Sequence, residues 1–245
     1  MSRLPDITEF AWPARFRHTY AVRLIGWLLE GHAYLREMFI RMWPRGIRRT
    51  LVLTERISEI PFVIRGMQVP PGSRILDVGS RWSALPLFLA SMGYRVAAVD
   101  LARFPIQGGG ADFVLADLRR PPFRDESFEA ATLISTLEHV GLGWYDPRRG
   151  AEDDIQLMTN LRTLLRPNGT LFLTVPYGVP EQNQHQRAYD RERLRRATAG
   201  WTWDVERYAV REGAAWREGT EAEAATASSI PETRAVAMLV LRKAR

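Results

Sequence analysis

The sequence predicts an α/β domain, a largely parallel sheet with helices on both faces, preceded by an N-terminal helical segment. Three observations carry this reading. From Pro70 onward, short apolar strands alternate with helical stretches, the order that builds a parallel sheet buried on both faces. The strand Ile75–Val78 breaks on Gly79, and the next apolar run ends on Asp100. The length, 245 residues, suits one large α/β domain with a helical appendage.

Residues 1–66 read as the helical segment. Val22, Ile25, Leu28, Leu29, Leu35, Phe39 and Met42 recur at helical spacing, and Pro44 stops the run. Such a face packs on the core, closes over a substrate site, or meets a second copy in a homodimer. The basic cluster Arg45-Gly-Ile-Arg-Arg49 leaves a membrane-surface role as the lesser alternative.

Residues 67–245 form the α/β domain. After the first strand, Ser83 is placed to cap a helix bearing Leu85, Phe88, Leu89 and Met92, with Gly93 as its stop. Arg95–Val99, Phe113–Ala116 (broken by Asp117) and Ala130–Ser135 follow as the second to fourth strands. Asp154–Leu165 forms a helix with Ile155, Met158, Leu161 and Leu165 on one face, ended by Arg166-Pro-Asn-Gly169. Leu171–Val175 is the fifth strand. Asp190 caps a helix through Ala197, and Trp203–Tyr208 and Val236–Leu241 are the last strands. Between them, the low-complexity run Glu221–Ser229 reads as a mobile loop spanning about 213–232.

Composition excludes several chemistries. The chain has no cysteine, so disulfides, thiolate catalysis and cysteine metal sites are out. Its four histidines (His18, His32, His139 and His185) are scattered, and Asp153-Asp154 reads as helix N-terminal charge, so no metal site is expected. The net charge is +6, but arginines are spread along the whole chain without interleaved aromatics, and nucleic acid is not expected as a partner. Charges interrupt the apolar stretch Tyr20–Trp43 and no signal peptide is visible, which predicts a cytoplasmic protein without a transmembrane segment.

Gly79 after the first strand and Asp100 after the second are the pattern of a nucleotide site, where glycine admits backbone close to the ligand and the acid holds ribose hydroxyls. No Gly-x-Gly-x-x-Gly or P-loop accompanies it. An adenosine without a phosphate chain points to S-adenosylmethionine rather than NAD or ATP.

Over roughly residues 70–245 the chain resembles the class I S-adenosylmethionine-dependent methyltransferases. The resemblance rests on Leu76-Asp-Val-Gly79, Asp100, Ala116-Asp-Leu118, Pro122-Phe123 with Ser127-Phe128, Ser135-Thr-Leu-Glu-His139 and Leu165-Arg-Pro-Asn-Gly-Thr170, in that order. It implies a Rossmann-like, seven-stranded sheet whose last strand is antiparallel. It also implies that Asp77, Gly79 and Ser80 line the methionine end of the cofactor and that Asp100, with Leu101, binds the ribose. Asp117 and Leu118 then lie at the adenine, and Ser135 and Thr136 face the sulfonium. A carboxylate tying down its own loop is the alternative for Asp77, and a solvated strand-end acid for Asp100. The family's loop usually carries two further glycines, replaced here by Arg81 and Ser83. This predicts a different loop path, with Arg81 meeting the cofactor carboxylate, or else a degenerate site.

Methyl transfer from a sulfonium is an in-line displacement in which positioning does most of the catalysis. A hydroxyl acceptor also wants a base, and His139, after the fourth strand, is the candidate; a bond to neighbouring backbone is its alternative role. Tyr145, Tyr177, His185 and Tyr189 are candidate acceptor contacts, with an ordinary solvated loop as the alternative for His185. The expected function is methyl transfer to a hydroxyl or carboxylate of a small molecule such as a sugar, glycan precursor or secondary metabolite. RNA methylation and a non-catalytic, methyltransferase-like binding role are the alternatives.

Overall fold

The computed structural model describes residues 54–104, 109–147 and 149–244. The helical segment expected over 1–66, with its homodimer and membrane-surface readings, lies outside the described residues as far as residue 53. Its last part is α1 (Arg56–Gly66), which belongs to the compact unit Val52–Arg245 and buries Glu59 and Val63.

The sheet has eight strands: β1 (Arg74–Val78), β2 (Arg95–Asp100), β3 (Ala111–Leu115), β4 (Phe128–Ile134), β5 (Leu165–Pro176), β6 (Trp201–Glu212), β7 (Ala215–Gly219) and β8 (Ala235–Lys243). Their spatial order is β3-β2-β1-β4-β5-β8-β6-β7. The first five are mutually parallel, and β8 runs antiparallel between β5 and β6. The expected seventh strand is therefore β8, and β7 is an additional edge strand. It comes from the stretch read as a mobile loop, where Arg217 bonds Glu212 and Glu223.

The rest of that stretch is a short helix, α5 (Glu221–Ala225), closed by a capping box between Thr220 and Glu223. Ala224 and Ser229 are fully buried. Of the helix's alanines only Ala224 is buried, and the low-complexity reading is corrected to a capped helix.

Three further helices complete the fold: α2 (Leu85–Ser91), α3 (Asp153–Leu164) and α4 (Arg191–Ala197). Side-chain alternation along the strands divides the interior into two main cores. Leu171, Leu173 and Val175 join Leu157, Leu161 and Leu194 in one, while Phe172 joins Ile75, Val63, Leu85 and Leu89 in the other. Ser83 is not the cap of α2; Ala84 holds that position, and the Ser83 hydroxyl accepts from the Leu85 amide at 3.1 Å. Asp190 caps α4, accepting from the Arg193 amide at 2.8 Å. Among the described residues no helix joins β2 to β3 or β3 to β4, and none is long and apolar enough to cross a membrane.

Candidate functional site

Strand order reverses between β1, which continues to β2 and β3, and β4, which continues to β5. Ligands of open α/β sheets bind beyond the carboxyl ends of the strands at such a switch point. A cavity of about 270 Å³ opens there, lined from Gly79, Asp100, Leu101, Asp117 and Leu118 at one side to Ser135, Thr136, His139 and Tyr145 at the other.

Gly79 is glycine for two reasons. Its φ is +78°, the left-handed region, and a Cβ there would fall on the Thr136 side chain. Beyond it the loop tightens at once into a 3-10 turn, Ser80–Trp82, and Ser83 is extended with φ −114°. Neither Arg81 nor Ser83 takes a left-handed conformation, so this path needs no further glycine. Asp100 anchors it, accepting from the Arg81 amide at 3.0 Å and the Ala102 amide at 2.9 Å. Arg81 lines the cavity.

Asp77 and Ser80 lie behind the cavity wall rather than in it. The Asp77 carboxylate turns toward β4 and accepts the Thr132 hydroxyl at 2.5 Å. Burial pushes its pKa up to about 7 against the opposing effects of that bond and of Arg56. Ser80 is buried and borders a smaller cavity beneath β2 and β3. Thr132 is the register partner of Asp77 on β4, so the carboxylate is engaged across the strand pair rather than in the cavity.

Asp117 reaches the cavity with its carboxylate already engaged. Arg119 Nε lies 3.0 Å and Nη2 2.9 Å from its two oxygens, and the Arg119 amide donates to it at 2.9 Å. The same guanidinium bonds Asp153 at 2.8 Å and Asp146, and these carboxylates hold its pKa well above the ordinary arginine value. Asp153 and Asp154 are thus more than helix N-terminal charge. Asp154 is buried and meets Arg187 at 2.7 Å, Arg193 at 2.9 Å and the Tyr189 hydroxyl at 2.8 Å.

Tyr177 and Tyr189 do not line the cavity. Both are buried; the Tyr177 hydroxyl donates to Glu221 at 2.8 Å, and Tyr189 is bound to Asp154. Burial and the Glu221 carboxylate push the Tyr177 pKa up to about 12. The loop residues beside these tyrosines were the sequence signal for acceptor contacts, but their rings serve the core.

Two residues of α1 support the site unannounced by any motif, one from behind its wall and one in its lining. Glu59, fully buried, accepts the hydroxyls of Ser135 and Thr174, both at 2.6 Å. Burial raises its pKa despite Arg56 and these two bonds. Arg56 donates to the Ile134 carbonyl at 3.1 Å and lines the cavity. A lone acid in a mostly apolar helical stretch, Ile57 to Ile64, was the available signal. Ser135 is held at φ +41° between β4 and the turn that follows.

That turn, Leu137–His139, carries the best acid–base candidate. His139 Nδ1 lies 2.6 Å from the His185 carbonyl. A carbonyl only accepts, so Nδ1 bears the hydrogen and Nε2 the lone pair. Burial drives the His139 pKa down to about 4, against the raising effect of the His185 bond. The ring is therefore neutral near pH 7. Tyr145 Oη sits 3.0 Å from His185 Nε2, and the two imidazoles lie 4.6 Å apart. His139 and Tyr145 line the cavity, and His185, which does not line it, bonds both.

The strand order, the glycine turn and the cavity at the switch point define a class I methyltransferase fold. Residues 122–244 match the model of the family described as "Caenorhabditis protein of unknown function, DUF268", and the chain belongs to that family. It is 32% identical over 120 residues to the ubiquinone biosynthesis O-methyltransferase of Xanthomonas campestris pv. campestris (strain B100), covering 45% of this chain and 46% of that protein. To the demethylmenaquinone methyltransferase of Clavibacter sepedonicus it is 28% identical over 127 residues, covering 49% and 47%. The chain matches about half the length of these curated relatives. Among solved structures, the N-methyltransferase NodS of Bradyrhizobium japonicum WM9, in complex with S-adenosylhomocysteine, superposes with a TM-score of 0.57 at 12% identity, over 83% of this chain and 94% of that one.

Proposed function

We propose that the protein is an S-adenosylmethionine-dependent methyltransferase acting on a hydroxyl or carboxylate of a small molecule. The observation that carries the proposal is one continuous cavity joining a strand-end carboxylate, Asp100, to a neutral imidazole, His139. The residues present fit the cofactor. Gly79 leaves room that a Cβ would fill, and each Asp100 oxygen keeps a lone pair beyond its backbone bond for a ribose hydroxyl. Leu101 and Leu118 offer apolar contact to the adenine, and Asp117 borders it while paired with Arg119. Ser135 and Thr136 flank the methionine end, where Arg56 and Arg81 supply positive charge for its carboxylate.

Bound there, the cofactor supplies a methyl group activated on a sulfonium sulfur. His139 Nε2 takes the proton of a hydroxyl acceptor while the His185 carbonyl steadies the imidazolium through Nδ1–H. Tyr145 orients the acceptor at the cavity mouth, and a carboxylate acceptor needs Tyr145 but no base. Val78, Val99 and Leu157 keep the intervening wall apolar.

Calorimetry with S-adenosylmethionine and S-adenosylhomocysteine tests the first half of the proposal. Transfer of labelled methyl to a panel of hydroxylated metabolites, carboxylic acids and RNA tests the second. Tight NAD binding without response to either sulfur compound would sink the assignment.

A further inference from the structure

The identity of a histidine's free nitrogen decides whether it can serve as a base, and here that choice is made outside the cavity. In water, imidazole favours the tautomer with hydrogen on Nε2. His139 is held in the other one by the His185 carbonyl. The carbonyl's direction depends in turn on the peptide that joins His185 to Gln186, and the amide of that peptide is held by the Asn183 side chain.

Asn183 Oδ1 accepts from the amides of His185 and Gln186, both at 2.8 Å. Its own amide donates to the Gln186 carbonyl at 3.0 Å, closing a tight turn beneath the bridge between Gln182 and Arg187. The far side of the turn is tied to the core, since the Arg187 amide donates to the Glu138 carbonyl at 3.1 Å and Gln186 Nε2 donates to the Ser229 carbonyl at 2.9 Å. Those bonds set where the turn sits, whereas the Asn183 oxygen is the side-chain acceptor that orients the His185 peptide within it. A peptide rotated by even a few tens of degrees would move its carbonyl off the Nδ1–H axis, and hydrogen bonds weaken steeply with misalignment.

We propose that Asn183 is a positioning residue that, by fixing the His185 peptide, selects the Nδ1–H tautomer of His139 and leaves Nε2 free to accept a proton. The proposal rests on the reading of His139 as the base in the function proposed above. Asn183 itself is exposed and touches no reacting atom.

The test reads the tautomer directly, on the full chain without cofactor or acceptor. Long-range proton–nitrogen NMR of isotope-labelled histidine distinguishes a protonated ring nitrogen from one bearing a lone pair, and the His139→Gln spectrum assigns the His139 signals. Wild type should show Nδ1 protonated and Nε2 bare near neutral pH. Asn183→Ala should lose that pattern and revert toward Nε2–H, while Asn183→Asp, whose carboxylate accepts the same two amides, should keep it. An unchanged tautomer in Asn183→Ala overturns the proposal. So does its loss in both variants, or an Nε2–H ring in wild type. Cofactor calorimetry on the same samples separates the two readings. If no variant and no wild type binds S-adenosylmethionine, the methyltransferase reading fails while the tautomer result stands; if Asn183→Ala binds as wild type, any change in His139 is not a collapse of the cofactor site.

Discussion

Thr136 occupies the space that a side chain at residue 79 would need. The turn after β4 therefore closes against the turn after β1, and the floor of the cavity is a backbone surface. Gly79→Ala meets both this contact and the cost of an L-residue at φ +78°. We expect a loss of about 1–3 kcal/mol in denaturant unfolding, the scale of a strained backbone position. Thr136→Ala in the same chain should recover only part of it, because the dihedral cost remains. Full recovery in the double variant would show that the contact alone requires glycine.

Asp100 has two duties, and they can be separated. Its carboxylate holds the Arg81 and Ala102 amides and is proposed to hold the ribose. Asp100→Asn keeps one acceptor oxygen for the loop but exchanges the other for a donor. We expect weaker S-adenosylmethionine binding by about 1.5–3 kcal/mol, as for a lost charged hydrogen bond, with a smaller change in unfolding midpoint. Equal affinity in a folded variant would remove Asp100 from the ribose site.

The pH dependence of His139 has a defined sign. Its folded pKa of about 4 lies below the ordinary 6.5, so between these values the unfolded chain binds the extra proton. Stability then rises with pH across that window, by up to about 3 kcal/mol in total. The groups around the ring are Glu138, His185 and Tyr145, with Arg56 acting at longer range. His139→Gln should flatten this part of the stability profile. For a hydroxyl acceptor it should also lower turnover by roughly 10²–10⁴-fold, and the acid limb of wild-type activity should fall near pH 4 rather than 6.5. A flat acidic limb with an active Gln variant would leave His139 only a positioning role.

Much of this site was legible because its parts are local. Gly79, Asp100 and His139 each follow a strand that an apolar run announces, and the fold's rule that ligands gather at strand ends brings them together. Arg56 and Glu59 were not legible, because the Glu59–Ser135 bond spans 76 residues and no short pattern encodes a contact of that range. Tyr177 and Tyr189 failed for the opposite reason: they sit in a polar stretch, yet partners supplied by α3 and α5 satisfy their hydroxyls inside the core. β7 was missed since Ala215–Gly219 carries a single large apolar residue, Trp216, and its pairing to β6 supplies what composition does not.

Arg119 is where we expect the largest effect outside the proposed chemistry. It bonds Asp117 at the cavity, Asp146 in the Gly141–Gly150 loop and Asp153 at the start of α3. Arg119→Gln would leave three carboxylates close together without the cation between them. The loop carrying Tyr145 should detach, giving faster proteolysis between 141 and 150. The loss in unfolding free energy should be about 1–3 kcal/mol, the scale of charged hydrogen bonds at a partly buried site. A variant whose loop cleaves at the wild-type rate would show that the other bonds of 141–150, such as the Gly150 amide to the Gly141 carbonyl at 3.2 Å, hold it unaided.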